Sequence, residues 1–177
     1  MPDLKPLLYS HYDVTFQEVP NEVSLVFEIT GCPHKCNGCH SQFLWDYYGR
    51  PVLNDLDSVI QKYSGMISCV CFMGGDQNVQ DLHLLCQKVH QYGLKTCIYS
   101  GLTFSEFLEK FKYNADFIDY LKVGPYIQKC GGLNEVTTNQ SFWKVEHRKS
   151  GASFHNITKL FQGKNYEDYY KSSMDTE

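Results

Sequence analysis

Apolar residues recur along this chain in short blocks, and the blocks alternate between two periods. Residues 23–30 (Val-Ser-Leu-Val-Phe-Glu-Ile-Thr) alternate and are rich in β-branched and aromatic types, which predicts a strand that ends at Gly31. Residues 67–73, 95–99 and 117–123 are further short apolar runs, closed by Gly74-Gly75, Ser100-Gly101 and Gly124-Pro125, and they read as buried strands. Between them the spacing becomes helical. Leu56, Val59, Ile60 and Tyr63 share one face over 55–64, with Gly65 as C-cap. Val79, Leu82, Leu85, Cys86 and Val89 do so over 79–92, and Phe104, Phe107, Leu108 and Phe111 over 103–112. Residues 41–54 predict a short turn of helix and a loop, and 142–146 and 154–158 are weaker strand candidates.

Alternation of strand and helix implies crossover connections and a parallel sheet. A complete eightfold barrel takes about 200 residues or more. The 177 residues here therefore predict one domain, an incomplete α/β barrel with a mostly parallel sheet. Residues 1–22, with Tyr9, Tyr12 and Phe16, read as an N-terminal extension with one short strand; the polar stretch 164–177 reads as a frayed tail.

Composition changes this picture little. With 42% hydrophobic and 20% charged residues, the chain is globular rather than disordered. A net charge of -4 argues against a nucleic-acid-gripping domain. No stretch is long and apolar enough for a signal peptide or a membrane span, so the expected place is the cytoplasm. In that reducing compartment eight cysteines point to metal or core roles before disulfides.

Three of the eight are concentrated in Gly31-Cys32-Pro33-His34-Lys35-Cys36-Asn37-Gly38-Cys39-His40, spaced C-x3-C-x2-C. Thiolates are the ligands of iron–sulfur clusters, and one loop can wrap three of them around a cubane. Three thiolates leave the fourth iron open for chemistry. The competing reading is a zinc site with His34 or His40 as fourth ligand. Structural zinc sites more often use two separated pairs, and no second pair follows. Cys69 and Cys71 share one face of their strand and read as small buried hydrophobes, as do Cys86 and Cys97; Cys130 stands apart. Met73-Gly74-Gly75-Asp76 closes a buried strand, and its glycines imply positive φ or close backbone approach.

The C-x3-C-x2-C loop resembles that of the radical SAM superfamily. The longer run from Glu28 to Ser41, continuing to Leu44-Trp45, resembles the cluster loop of the anaerobic ribonucleoside-triphosphate reductase activating proteins. The resemblance extends from Gln17 to Trp143. It implies a partial α/β barrel of the radical SAM type, closed on its open side by a partner. It also implies a [4Fe-4S] cluster on Cys32, Cys36 and Cys39 and the cofactor S-adenosyl-L-methionine. Gly74, Gly75 and Asp76 match the superfamily's Gly-Gly-Glu motif in its Gly-Gly-Asp variant, which receives the methionine amino group. Gly38 stands where the wider superfamily has an aromatic, and the activating proteins often have glycine there. Gly38, Cys39 and His40 are counted with the cofactor-binding residues, as is Ser100 for the ribose or carboxylate. No catalytic side chain beyond cluster and cofactor is expected. Lys122 reads as a strand-end charge, and Thr137-Thr138-Asn139-Gln140 resembles a family stretch without an assigned role.

The implied activity is reductive cleavage of S-adenosylmethionine and formation of a glycyl radical. The implied partners are the large subunit of anaerobic ribonucleotide reductase and a flavodoxin-like electron donor, with no nucleic acid and no membrane. Another glycyl-radical enzyme, such as pyruvate formate-lyase, is the alternative target. A non-catalytic zinc- or cluster-binding module is the alternative of a different class.

Overall fold

Four parallel strands form the centre of a single sheet. The computed structural model describes residues 5–111, 116–148 and 151–163. In chain order the elements are β1 (Leu8–Thr15), β2 (Ser24–Ile29), β3 (Arg50–Pro51), α1 (Val52–Lys62), β4 (Cys69–Met73), α2 (Val79–Gln91), β5 (Lys95–Tyr99), α3 (Phe104–Lys110), β6 (Tyr120–Val123), β7 (Ser141–Arg148) and β8 (Gly151–Asn156). The eight strands lie in the order β3-β1-β2-β4-β5-β6-β7-β8. Strands β2, β4, β5 and β6 pair in parallel, and the four outer pairings are antiparallel.

The expected mostly parallel sheet is thus corrected to a mixed one. A parallel neighbour requires a long crossover. The chain supplies helical crossovers only between β2 and β6; before and after them it turns back without a helix, and the strands run antiparallel. The end strands β3 and β8 do not pair with each other, so the described residues form an α/β fold with an open sheet, not a closed barrel.

Strand periodicity divides the core in two. Leu25, Phe27 and Ile29 of β2, Val70 and Phe72 of β4, Ile98 of β5 and Leu121 of β6 face the helices. There they meet Leu56 and Ile60 of α1 and Leu82, Leu85 and Val89 of α2. On the opposite face Val26, Cys69, Cys71, Cys97 and Tyr120 pack with Val19 and Phe142. Cys69, Cys71 and Cys97 are free and fully buried, and burial pushes the Cys69 and Cys97 thiols well up. These are core residues, as their placement in the sequence suggests.

Several boundaries differ from the periodic pattern. The expected N-terminal extension carries all of β1, seated against β2, with Tyr9 and Tyr12 packed on Phe27. Helix α1 starts at Val52, ahead of the expected 55, because Pro51 sits at its N-cap with the φ of -62° that proline favours. Strand β4 begins at Cys69 rather than 67. Strand β6 begins at Tyr120 rather than 117: Phe117 leaves the ladder to pack on His83 and His90, and Asp119 turns its carboxylate to Thr96 N and His90. The weak candidate at 142–146 lies within β7, and that at 154–158 is strand only to Asn156, where β8 ends and a short 3-10 turn follows. The 164–177 tail lies outside the described residues. No helix among the described residues is long and apolar enough to cross a membrane.

At the N-terminal ends of the parallel strands, the buried Glu22 carboxylate accepts from Ser68 Oγ (2.6 Å), Tyr120 OH (2.9 Å) and Lys95 Nζ. One side chain thereby ties β4, β5 and β6 together at the floor of the sheet. Burial and this carboxylate push the Tyr120 hydroxyl far up, so it remains a donor. Hydrogen bonds to a charged group contribute about 1.5–3 kcal/mol, so Glu22→Gln is expected to cost about 2 kcal/mol, read as a lower urea midpoint with unchanged slope.

Candidate functional site

The other end of the parallel strands carries the chemistry-bearing residues. The cysteine loop leaves β2 through Gly31 (φ +77°) and is pinned before its first ligand position: Gly31 N donates to Asp46 O and Cys32 N to Leu44 O, both at 2.9 Å. Thr30 Oγ1 donates to Tyr48 O at 2.5 Å, and Gln77 Nε2 to Thr30 O at 2.8 Å. Within the loop Lys35 takes a left-handed φ of 45°, and Cys39 N donates to Cys36 O at 3.1 Å. These bonds run between nitrogens and oxygens; in addition the Cys39 sulfur accepts from Ser41 N at 3.4 Å, and the Cys32 sulfur from the amides of His34 and Lys35.

Cys32, Cys36 and Cys39 are free, partly exposed, and line one cavity of about 160 Å³. Burial pushes the Cys32 thiol up, so a metal group bound there would have to displace its proton. Among the described residues, no three His, Cys, Asp or Glu side chains gather around one point as ligands of a single ion. His34 is held by Asp76, and His40 is exposed with its ring edge-on to Tyr126, 5.6 Å between centroids. Neither histidine joins the thiols. Three soft thiolates spread around a shared cavity suit a cubane, whose irons are bound one thiolate each.

The turn after β4 forms the facing wall. Gly74 and Gly75 have φ of +109° and +110°, a region open to glycine and costly for other residues. A Cβ on Gly75 would approach Leu82 (3.1 Å) and Leu7 (3.3 Å), so a side chain there would enter the core behind the turn. Asp76 is 1% exposed. Its Oδ2 accepts from His34 Nε2 (2.6 Å), Ser100 Oγ (3.0 Å) and Gly101 N (3.2 Å). Its Oδ1 is buried and has no hydrogen-bond partner among the described residues. The carboxylate is thus held by one oxygen, while the other has no donor among the described residues.

Tyr99, Ser100, Lys122, Gly124 and Gln140 complete the lining. The half-buried Lys122 ammonium forms no ion pair among the described residues; it stands 5.2 Å from the Tyr99 ring centroid, burial lowers its pKa, and the charge of Glu18 partly offsets that shift. Tyr99 OH donates to the backbone and carboxylate oxygens of Glu18, at 2.7 and 2.8 Å. Gln140 Nε2 donates to Gly124 O (3.1 Å) and Asn139 Nδ2 to Pro125 O (2.8 Å), so the Thr137–Gln140 stretch props the turn beneath the cavity.

The fold therefore gathers Cys32, Cys36, Cys39, Gly74, Gly75, Asp76 and Ser100 around one cavity. Gly38 and His40 lie off it. Gly38 (φ +75°) backs onto Gln128, and His40 lines a neighbouring cavity of about 470 Å³ together with Cys39, Glu18 and Lys122. Sequence reasoning missed the His34–Asp76 bond and the open ammonium of Lys122. Its only signal for Lys122 was the position at a strand end.

The family model described as a 4Fe-4S single cluster domain matches residues 22–145. No curated protein and no solved structure matches the chain.

Proposed function

This chain belongs to the 4Fe-4S single cluster domain family, and from that premise we propose that it is a radical SAM activase whose single domain makes a glycyl radical on a partner protein. When bound and reduced, the cluster supplies the electron that splits the sulfonium of S-adenosylmethionine into methionine and a 5′-deoxyadenosyl radical. Cys32, Cys36 and Cys39 would hold three of its irons. The cofactor reading rests chiefly on Asp76 Oδ1, a buried carboxylate oxygen without a donor in the same cavity as the thiols. An ammonium group is its natural complement. The Lys122 ammonium is a complement for a carboxylate, so the two together suit an α-amino acid headgroup. His34, Ser100 and Gly101 keep Asp76 oriented. Ile29, Leu44, Met73 and Tyr99 give the cavity apolar walls that limit water.

The resemblance of the Asn37-Gly38-Cys39-His40-Ser41 run and of the Thr137–Gln140 stretch favours the large subunit of anaerobic ribonucleotide reductase as the partner. The radical would take one hydrogen atom from the α-carbon of a glycine in that subunit. A sheet that does not close into a barrel among the described residues is compatible with such a loop reaching the cavity. A flavodoxin-like donor in the cytoplasm would supply the electron. Mixing the reduced, reconstituted protein with S-adenosylmethionine and the reductase from the same source, without oxygen, is expected to give a glycyl doublet in the electron paramagnetic resonance spectrum and ribonucleotide reduction. A silent reductase beside an activated pyruvate formate-lyase would overturn the substrate assignment. A protein that takes up zinc but no iron or sulfide would overturn the whole reading.

A further inference from the structure

Trp45 lines the same cavity as the three thiols, and its indole Nε1 is buried without a hydrogen-bond partner among the described residues. A buried N–H without an acceptor loses its hydration and gains nothing in return. The chain's other tryptophan shows the ordinary arrangement: Trp143 Nε1 donates to Ser141 Oγ at 2.8 Å, and its ring stacks on Phe104. Trp45 is also held where it is by the loop itself. The residues on either side of it, Leu44 and Asp46, give their carbonyls to Cys32 N and Gly31 N. The indole is therefore fixed to the segment that carries the first cysteine. Asp76 Oδ1, the other partnerless polar atom on a residue of that cavity, is an acceptor that the proposed ammonium group would satisfy, which leaves the Trp45 donor unused.

We propose that the Trp45 N–H donates to a sulfur of the cluster carried by Cys32, Cys36 and Cys39, and so acts as a positioning residue that sets the cluster's reduction potential. This rests on the cluster reading and specifies how the protein tunes it. Sulfide and thiolate sulfurs are acceptors that enter the cavity only with the metal group, which explains a donor left open by the protein alone. An N–H···S bond draws negative charge from the sulfur and stabilises the reduced state, which carries one more electron.

The test is an electron-paramagnetic-resonance-monitored redox titration of the reconstituted protein in the absence of S-adenosylmethionine. Trp45→Phe is expected to keep the wild-type iron and sulfide content and to shift the midpoint to more negative potential, whereas Trp143→Phe leaves it in place. A full cluster with an unshifted midpoint in Trp45→Phe would overturn the proposal. So would an unshifted midpoint with weakened S-adenosylmethionine binding, which would assign the indole to the cofactor. If Trp45→Phe loses the cluster, Trp45 is replaced by benzothienylalanine in the Trp143→Phe background, keeping the ring shape and deleting the N–H. A negative shift there supports the proposal, and a wild-type midpoint overturns it. A wild-type protein that binds no iron would overturn the cluster assignment and this proposal together.

Discussion

Cys36→Ala is expected to abolish the cluster while leaving the fold in place. With two thiolates remaining, half the irons of a cubane would lack a protein ligand, and such a cluster does not persist. The backbone of the loop has no need of the thiol: its start is pinned by Leu44 O and Asp46 O, and Cys36 serves Cys39 N through its carbonyl. Iron and sulfide after anaerobic reconstitution should fall to background and the reduced-cluster signal should vanish, with the thermal unfolding of the metal-free protein little changed. Cys32→Ala and Cys39→Ala should lose the cluster as well, with some added loss of metal-free stability, because their sulfurs accept backbone N–H bonds. Cys97→Ala is the control: its thiol lies in the core on the far face of β5 from the helices, and the cluster should survive its loss. A full, active cluster in any of the three loop variants would refute the ligand set.

Asp76→Asn is expected to weaken S-adenosylmethionine binding without removing iron. The amide keeps the shape but not the charge that makes the open Oδ1 a partner for an ammonium group. Loss of one charge-assisted hydrogen bond of roughly 1.5–3 kcal/mol corresponds to about a tenfold to a hundredfold loss of affinity. Asp76→Ala should lose at least as much, since His34, Ser100 and Gly101 also lose their acceptor. Titration of the reduced cluster's spectrum with the cofactor reads this directly. Unchanged affinity in both variants would make the Gly-Gly-Asp turn purely structural. Gly75 is a poorer probe than its place in the motif suggests, because a side chain there strikes Leu82 and Leu7 in the core.

The sequence made local features legible and left relational ones hidden. Strand β5 falls where its apolar run and its closing Ser100-Gly101 put it, because period and punctuation are properties of consecutive residues. The cysteine loop was legible for the same reason. Strand direction was not: it depends on how the chain returns, and neither Tyr9-Ser10-His11-Tyr12 nor Phe142-Trp143-Lys144-Val145 encodes the sense of its neighbour. The Asp76 clamp draws on residues 34, 76, 100 and 101, so no window of sequence contains it. His34 was weighed as a metal ligand on spacing alone, and only the fold shows its ring committed to a carboxylate 42 residues away.

The unequal reach of the two halves of the site bears on the order in which it is made. All three thiols lie within eight consecutive residues, whereas the lining around Asp76 is contributed by the ends of β4, β5 and β6. Closing a short loop costs little chain entropy, and linking distant strands costs more. A nascent chain that has exposed only its first forty-odd residues already holds every thiol the metal requires. The wall around Asp76 exists only after the later crossovers have docked. On the proposed reading, metal delivery would be freed from the completion of folding, while selection of the small molecule would wait for it.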